Sequence, residues 1–414
     1  MVMRFVLSAL AALVLAGPPA VVAAHETGAH AGHGGRGAPR PALAISAAFA
    51  PDGRLWIVGL DERARLFVQS SADLGRTWGP RAFPDIGDER PAADGESRPK
   101  IAFGPDGPDG PNGRTVVLAW TRPLAKPYTG EIRMARSEDG GRTFGAPFTV
   151  HRDRQVITHR FESIAFDAQG RLHVLWIDKR DAEAARAAAT AAGRRSDYAG
   201  AAVYRTVSGD GGRTFAPDTK LADASCECCR IALAPTPDGG LAAMWRHVFE
   251  RNVRDHAFAR LGPIEAPPAA PVRASRDGWK IDACPHHGPG LAPAADGGWH
   301  AVWFGERDGV AAVRYGRLAA DGTPSGEVRT LPDAAAEHAD VASAGARVAI
   351  VWRSFDGSAT RLRAWISTDG GARFAERELA RATGETDHPR IVRRDERLHA
   401  VWRTAKEVRV DALD

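Results

Sequence analysis

Seven times along this chain a short apolar run, a polar turn often carrying Asp-Gly, and a second apolar run ending in tryptophan or a near equivalent follow one another. The copies lie at Ile45–Gly59, Pro99–Trp120, Ser163–Trp176, Ile231–Trp245, Gly290–Trp303, Val341–Trp352 and Ile391–Trp402. The runs are short, rich in β-branched and aromatic residues and bounded by Gly, Pro and Asp, a pattern that predicts β-strands. Each copy therefore supplies an inner strand and its antiparallel neighbour. A third strand, a turn and a fourth strand follow in places, as in Glu131–Ser137 and Pro147–Val150. Such regularly spaced hairpins predict an all-β fold, a β-propeller of four-stranded blades. Seven modules favour seven blades, with six as the alternative. The last module supplies three strands at most, and the segment Arg40–Ile45 is expected to complete it and close the ring.

Two stretches break the pattern. Residues Asp181–Arg195 are alanine-rich, with strong helix propensity and Asp181 placed as an N-cap. They predict a helical insertion between the second and third strands of the third module, either a lid or a passive surface helix. Residues 25–40 are rich in His and Gly and lack the apolar surface to fold alone. Ahead of them, residues 1–24 carry Arg4, an apolar run from Phe5 to Ala16 and a small-residue ending, which reads as a cleaved secretory signal. The remainder, 41–414, reads as a single propeller domain. The protein is thus expected to be exported, periplasmic or secreted, without a membrane anchor. With a net charge of +4 and interspersed signs, nucleic-acid binding has no support.

A second repeat sits between the strands. Ser71-Ala-Asp-Leu-Gly-Arg-Thr-Trp78 recurs from Ser137 to Phe144, from Ser208 to Phe215 and from Ser367 to Phe374. Its aspartate can accept backbone N–H bonds within a tight turn, and its glycine supplies positive φ. The pattern resembles the Asp-box, or bacterial neuraminidase repeat, of sialidase-like β-propellers; three copies match it fully, and the last has Arg373 in place of Thr. Sialidase activity, which the resemblance implies, needs three arginines on a substrate carboxylate, a tyrosine nucleophile paired with a glutamate, and an aspartate acid/base. Arg98, Arg160 and Arg230 are the candidate arginines, and Glu162 or Asp178 the candidate for proton transfer. Ser97-Arg98-Pro99-Lys100 matches the family's first arginine motif only loosely. Of the four tyrosines, Tyr128, Tyr198, Tyr204 and Tyr315, none begins a late inner strand, where the nucleophile belongs.

The segments that lead into the inner strands carry the remaining chemistry. They read Glu96-Ser97-Arg98, His159-Arg160-Phe161-Glu162, Cys226-Glu227-Cys228-Cys229-Arg230, Cys284-Pro285-His286-His287, Glu337-His338-Ala339-Asp340 and Asp387-His388-Pro389-Arg390. Equivalent positions in a propeller ring the upper mouth of its channel. Cys226, Cys228, Cys229, Cys284, His286 and His287 are therefore candidate metal ligands, suited to copper or zinc. Disulfide bonding is the competing reading for an exported chain with four cysteines. Arg98, Arg160, Arg230, His338 and His388 are candidates for holding a small anionic ligand or a sialylated glycan, unless the arginines pair internally. His25, made N-terminal by cleavage, could chelate copper with His30 and His33. Three functions stay open: a metal-binding propeller with arginines for an anion, an exo-sialidase or related glycoside hydrolase, and a disulfide-stapled binding scaffold. None requires an organic cofactor.

Overall fold

In the computed structural model, which describes residues 42–104, 114–283 and 285–414, seven antiparallel sheets follow one another along the chain. The expected signal segment, the His-rich segment and Cys284 lie outside the described residues. Inner strands at Ser46–Phe49, Lys100–Phe103, His159–Phe166, Ala232–Pro235, Gly290–Pro293, Glu337–Ala344 and Arg390–Arg394 each pack against the next, and the last packs against the first. The ring is closed with seven blades, and the six-bladed alternative is excluded.

Burial explains why the sequence settles this way. The second strand of a blade is covered on both faces by neighbouring blades, and Leu172–Asp178 is buried at every position. An outer strand such as Pro324–Thr330 is mostly exposed and correspondingly polar. The tryptophans that end the second strands, Trp120, Trp176, Trp245, Trp303, Trp352 and Trp402, are all buried. A buried indole N–H must find an acceptor. Glu89, Asp178, Asp277 and Asp333 accept from Trp120, Trp176, Trp303 and Trp352, and the Asp387 carbonyl accepts from Trp402. Trp245 alone of the six has a buried N–H with no partner. Blade 1 has Gly59 at this position, where a Cβ would lie 2.6 Å from the Ile45 side chain.

Blades 1 and 7 have three strands each, the other five four. Residues 42–45 do not add the expected fourth strand to blade 7. They run instead toward the inner rim, where Ile45 N donates to Asp387 and Ile45 O accepts from Arg98. In blade 1 a single bridge, Val68 to Ala82, stands in place of a fourth strand. The predicted insertion forms a helix over Arg180–Ala191, but Asp181 is not its cap: Lys179 holds that position and makes no capping bond. Asp181 lies in the first turn, where a carboxylate favours the helix dipole, and it accepts from Tyr204 and Lys220.

The four repeated turns share one hydrogen-bond pattern. The serine hydroxyl donates to the aspartate and accepts the N–H of the glycine four residues on, as in Ser208, Asp210 and Gly212. The aspartate then accepts the backbone N–H of residue i+4, and in three copies also the threonine hydroxyl. In the fourth copy the Arg373 guanidinium takes the place of that hydroxyl. The turns meet the loops that follow the inner strands, through Gly140 N to Arg114 O and Gly370 N to Ala346 O. The segments that lead into the inner strands are therefore at the opposite end of the blades.

These bonds draw Asp73, Asp210 and Asp369 down to about 2; at Asp210 desolvation opposes the shift and the Thr214 bonds outweigh it. A depressed carboxyl stabilises the fold above its unfolded value near 3.8, and that contribution disappears as pH falls toward 2. Asp210→Asn is expected to lower stability by about 1–2 kcal/mol at pH 7. In denaturant melts the gap to wild type should close between pH 4 and pH 2, and a gap independent of pH would contradict the argument.

Candidate functional site at the inner rim

Glu96 is the meeting point of the lead-in segments. One carboxylate oxygen accepts Arg230 Nη1 at 2.7 Å, and the other accepts the backbone N–H groups of Gly288 at 2.9 Å and Arg230 at 3.3 Å. The Nδ1 atoms of His338 and His388 stand 3.4 and 3.6 Å from the first oxygen. Segments leading into blades 2, 4, 5, 6 and 7 thus converge on one buried group. Burial alone would raise the Glu96 carboxyl, but Arg230 and the two imidazoles hold it well below the usual carboxylate range.

Three imidazoles stack beside it. His287 lies over His338 with ring centres 4.2 Å apart, and His338 over His388 at 3.4 Å. Phe304 covers the other face of His287. Burial pushes all three rings well below 6.5, which favours their neutral form, and His287 Nδ1 accepts the His338 N–H at 3.4 Å. His338 and His286 hold left-handed backbone at φ 52°, a conformation that costs a non-glycine residue energy and recurs at functional sites. Two glycines make room: a Cβ at Gly95 would lie 2.4 Å from the His388 ring, and one at Gly288 2.2 Å from Arg230.

The thiols form a second group. Cys226, Cys228 and Cys229 are buried with sulfurs 3.7, 3.9 and 3.9 Å apart, in hydrogen-bonding contact and not joined to one another by a disulfide. They pack in the same cluster as Trp245. Arg254 Nη1 approaches the Cys226 sulfur at 3.7 Å. Arg246 lies between the groups: its guanidinium bonds the carbonyls of His287, Phe304 and Arg254, and its charge acts on the Cys229 thiol. A hydrogen bond with Cys226, reinforced by burial, holds the Cys229 thiol above its ordinary value. Among the described residues, the clusters able to hold an ion are Cys226–Cys228–Cys229, Glu96–His338–His388 and His287–Glu337–His338, and none mixes sulfur with imidazole. His286 is half-buried and belongs to none of these clusters.

The candidate arginines are largely engaged. Arg98 is 2% exposed and spends its guanidinium on Asp387, Ile45 O and Gly95 O. Arg230 is taken up by Glu96 and Ala339 O. Arg160 is the least committed, with Asp94 at 3.5 Å and a buried Nε lacking a partner. Asp178 is fully buried and accepts from Trp176 and Arg180. Glu162 accepts from Thr121 at 2.7 Å while its other oxygen has no partner, and burial raises its carboxyl. Nearby, Lys100 donates to Arg98 O, and burial pulls its ammonium down to about 7.

Sequence reasoning placed Glu96 in this ring but did not single it out as a site residue. The signal was a carboxylate in the lead-in to blade 2, facing cationic and imidazole lead-ins of other blades. Lys100 was missed because an inner-strand lysine reads as surface until the channel it lines is known.

No family model matches the chain, and no curated protein matches it. Solved propellers do. An ulvan lyase superposes with TM-score 0.57 at 12% identity, covering 91% of this chain and 94% of its own. An α-L-arabinofuranosidase from Fusarium graminearum superposes with TM-score 0.52 at 11% identity, covering 83% and 95%. A Hadza microbial sialidase overlaps at TM-score 0.47 and 15% identity, covering 90% and 65%. At such identities what is shared is the architecture common to these glycan-processing enzymes, not a reaction.

The buried Asp387 joins blade 7 to Ile45 and Arg98 and also accepts the His388 N–H. Removing one partner of such a pair strands the other charge. Asp387→Asn is expected to cost about 3–5 kcal/mol in urea unfolding; a loss under 1 kcal/mol would mean the pair is dispensable.

Proposed function

We propose that this protein is an exported metal-binding β-propeller whose thiol triad, Cys226, Cys228 and Cys229, holds a soft or borderline ion, copper or zinc. The observation that carries the reading is the sulfur spacing. Three thiolates about 2.3 Å from a tetrahedral ion stand roughly 3.8 Å apart, and the sulfurs here are 3.7–3.9 Å apart without any ion. Arg246 and Arg254 supply positive charge to offset that of deprotonated thiols. The fourth ligand is open to Cys284 or His286, both close in sequence to His287. An anionic ligand would rest on Arg160, since Arg98 and Arg230 are neutralised by Asp387 and Glu96.

The same pairing weighs against a sialidase, whose arginines must be free for the substrate carboxylate. A second reading, a glycoside hydrolase, rests on Glu162 alone: a buried carboxyl that retains its proton above the ordinary range has the property of a general acid.

Protein taken from its native host is expected to retain at least one copper or zinc ion per chain, with sulfur in the coordination shell by X-ray absorption. Cys228→Ser should weaken retention at least tenfold against a competing chelator. Absence of sulfur ligation in protein isolated without oxidation would overturn the reading. No release is expected from a fluorogenic sialoside; release abolished by Glu162→Gln would favour the hydrolase.

A further inference from the structure

The thiols leave the imidazole group at the rim unexplained. Glu96, His338 and His388 come from three different blades, are buried, and place one ligand atom each within 4.8 Å of the others. Their contacts are long: His338 Nδ1 reaches Glu96 only at the far end of the hydrogen-bond range, and His388 Nδ1 stands beyond it. A charge-assisted bond between imidazole and carboxylate closes to about 2.7–2.9 Å, whereas here the two Nδ1 atoms stand 3.4 and 3.6 Å from the Glu96 oxygen. Two ligand atoms about 2.0–2.1 Å from a shared tetrahedral ion stand roughly 3.3 Å apart. The Nδ1 of His388 is buried and has no hydrogen-bond partner. Neighbouring positions are shaped around these rings, since any side chain at Gly95 would collide with His388, and His338 holds a left-handed backbone.

We infer that Glu96, His338 and His388 form a second metal site, separate from the thiol triad, for a borderline divalent cation of the zinc class. Two imidazoles and one carboxylate leave a coordination position open, as in sites where a divalent ion binds water or an anion. Arg230 stays on Glu96 and offsets its charge, so the site favours a dication of moderate affinity over a tightly caged ion. His287 and Glu337 lie behind His338 and can hold its ring through stacking and through Nε2. The inference stands whether or not the thiols bind metal.

Cobalt(II) tests it, because thiolate ligation gives intense near-ultraviolet charge-transfer absorption and nitrogen–oxygen ligation gives only weak visible bands. The demetallated full chain with Cys226, Cys228 and Cys229 changed to Ser is expected to bind Co²⁺ with visible bands alone, and Zn²⁺ should displace it. Adding His338→Gln and His388→Gln should remove one equivalent, or weaken it at least tenfold, with the circular dichroism of the parent retained. If that double change unfolds the protein, His388→Asn alone is compared in the same titration. Failure of the thiol-free chain to bind Co²⁺, or binding unchanged by the histidine substitutions, overturns the second site. Loss of the charge-transfer band from the wild-type chain, with the visible bands intact, would count only against the thiol site.

Discussion

A propeller stands or falls on the closure of its ring, and here closure is made at the centre by buried opposite charges. Asp387 ties the last blade to the first through Ile45 N and to the second through Arg98, while Glu96 ties the second blade to Arg230 of the fourth. Such pairs add little net stability over apolar packing but are costly to break singly. They also fix which segments can meet, because each of these carboxylates pairs with a guanidinium from another blade. Hydrophobic burial between blades supplies the driving force, and the charges at the rim set the register in which the blades come together.

That arrangement decides what the mouth can do. Arginines engaged by Asp387 and Glu96 are structural, and a substrate carboxylate would have to displace a buried partner to use them. The other side chains gathered there are softer: three stacked imidazoles, three thiols in contact, and Glu162 with an unpaired oxygen. The fold shares the outline of glycan-processing enzymes, while the clusters at its rim that could hold an ion are built from thiols, imidazoles and carboxylates.

Much of the fold was legible because two independent periodicities agreed. The strand–turn–strand repeat ending in tryptophan counted the blades, and the serine–aspartate turns marked the ends of third strands. Two features misled. Arg40–Ile45 suggested a closing strand, but Ile45 is drawn inward by Asp387, a partner 342 residues away that no local pattern reveals. Asp181 looked like a helix cap, yet Tyr204 and Lys220 engage its carboxylate from two adjacent strands. At the rim, equivalence within the repeat told which segments would meet. Which side chains would be spent on each other was not readable, since pairing across the channel depends on geometry between blades.

The column of stacked rings has a mechanical meaning. His287, His338 and His388 belong to three successive blades, so any change in pitch between neighbouring blades slides one ring across the next. Whatever clasps two of these rings at once rivets two blades together, so occupancy of the rim and stiffness of the whole wheel rise and fall as one.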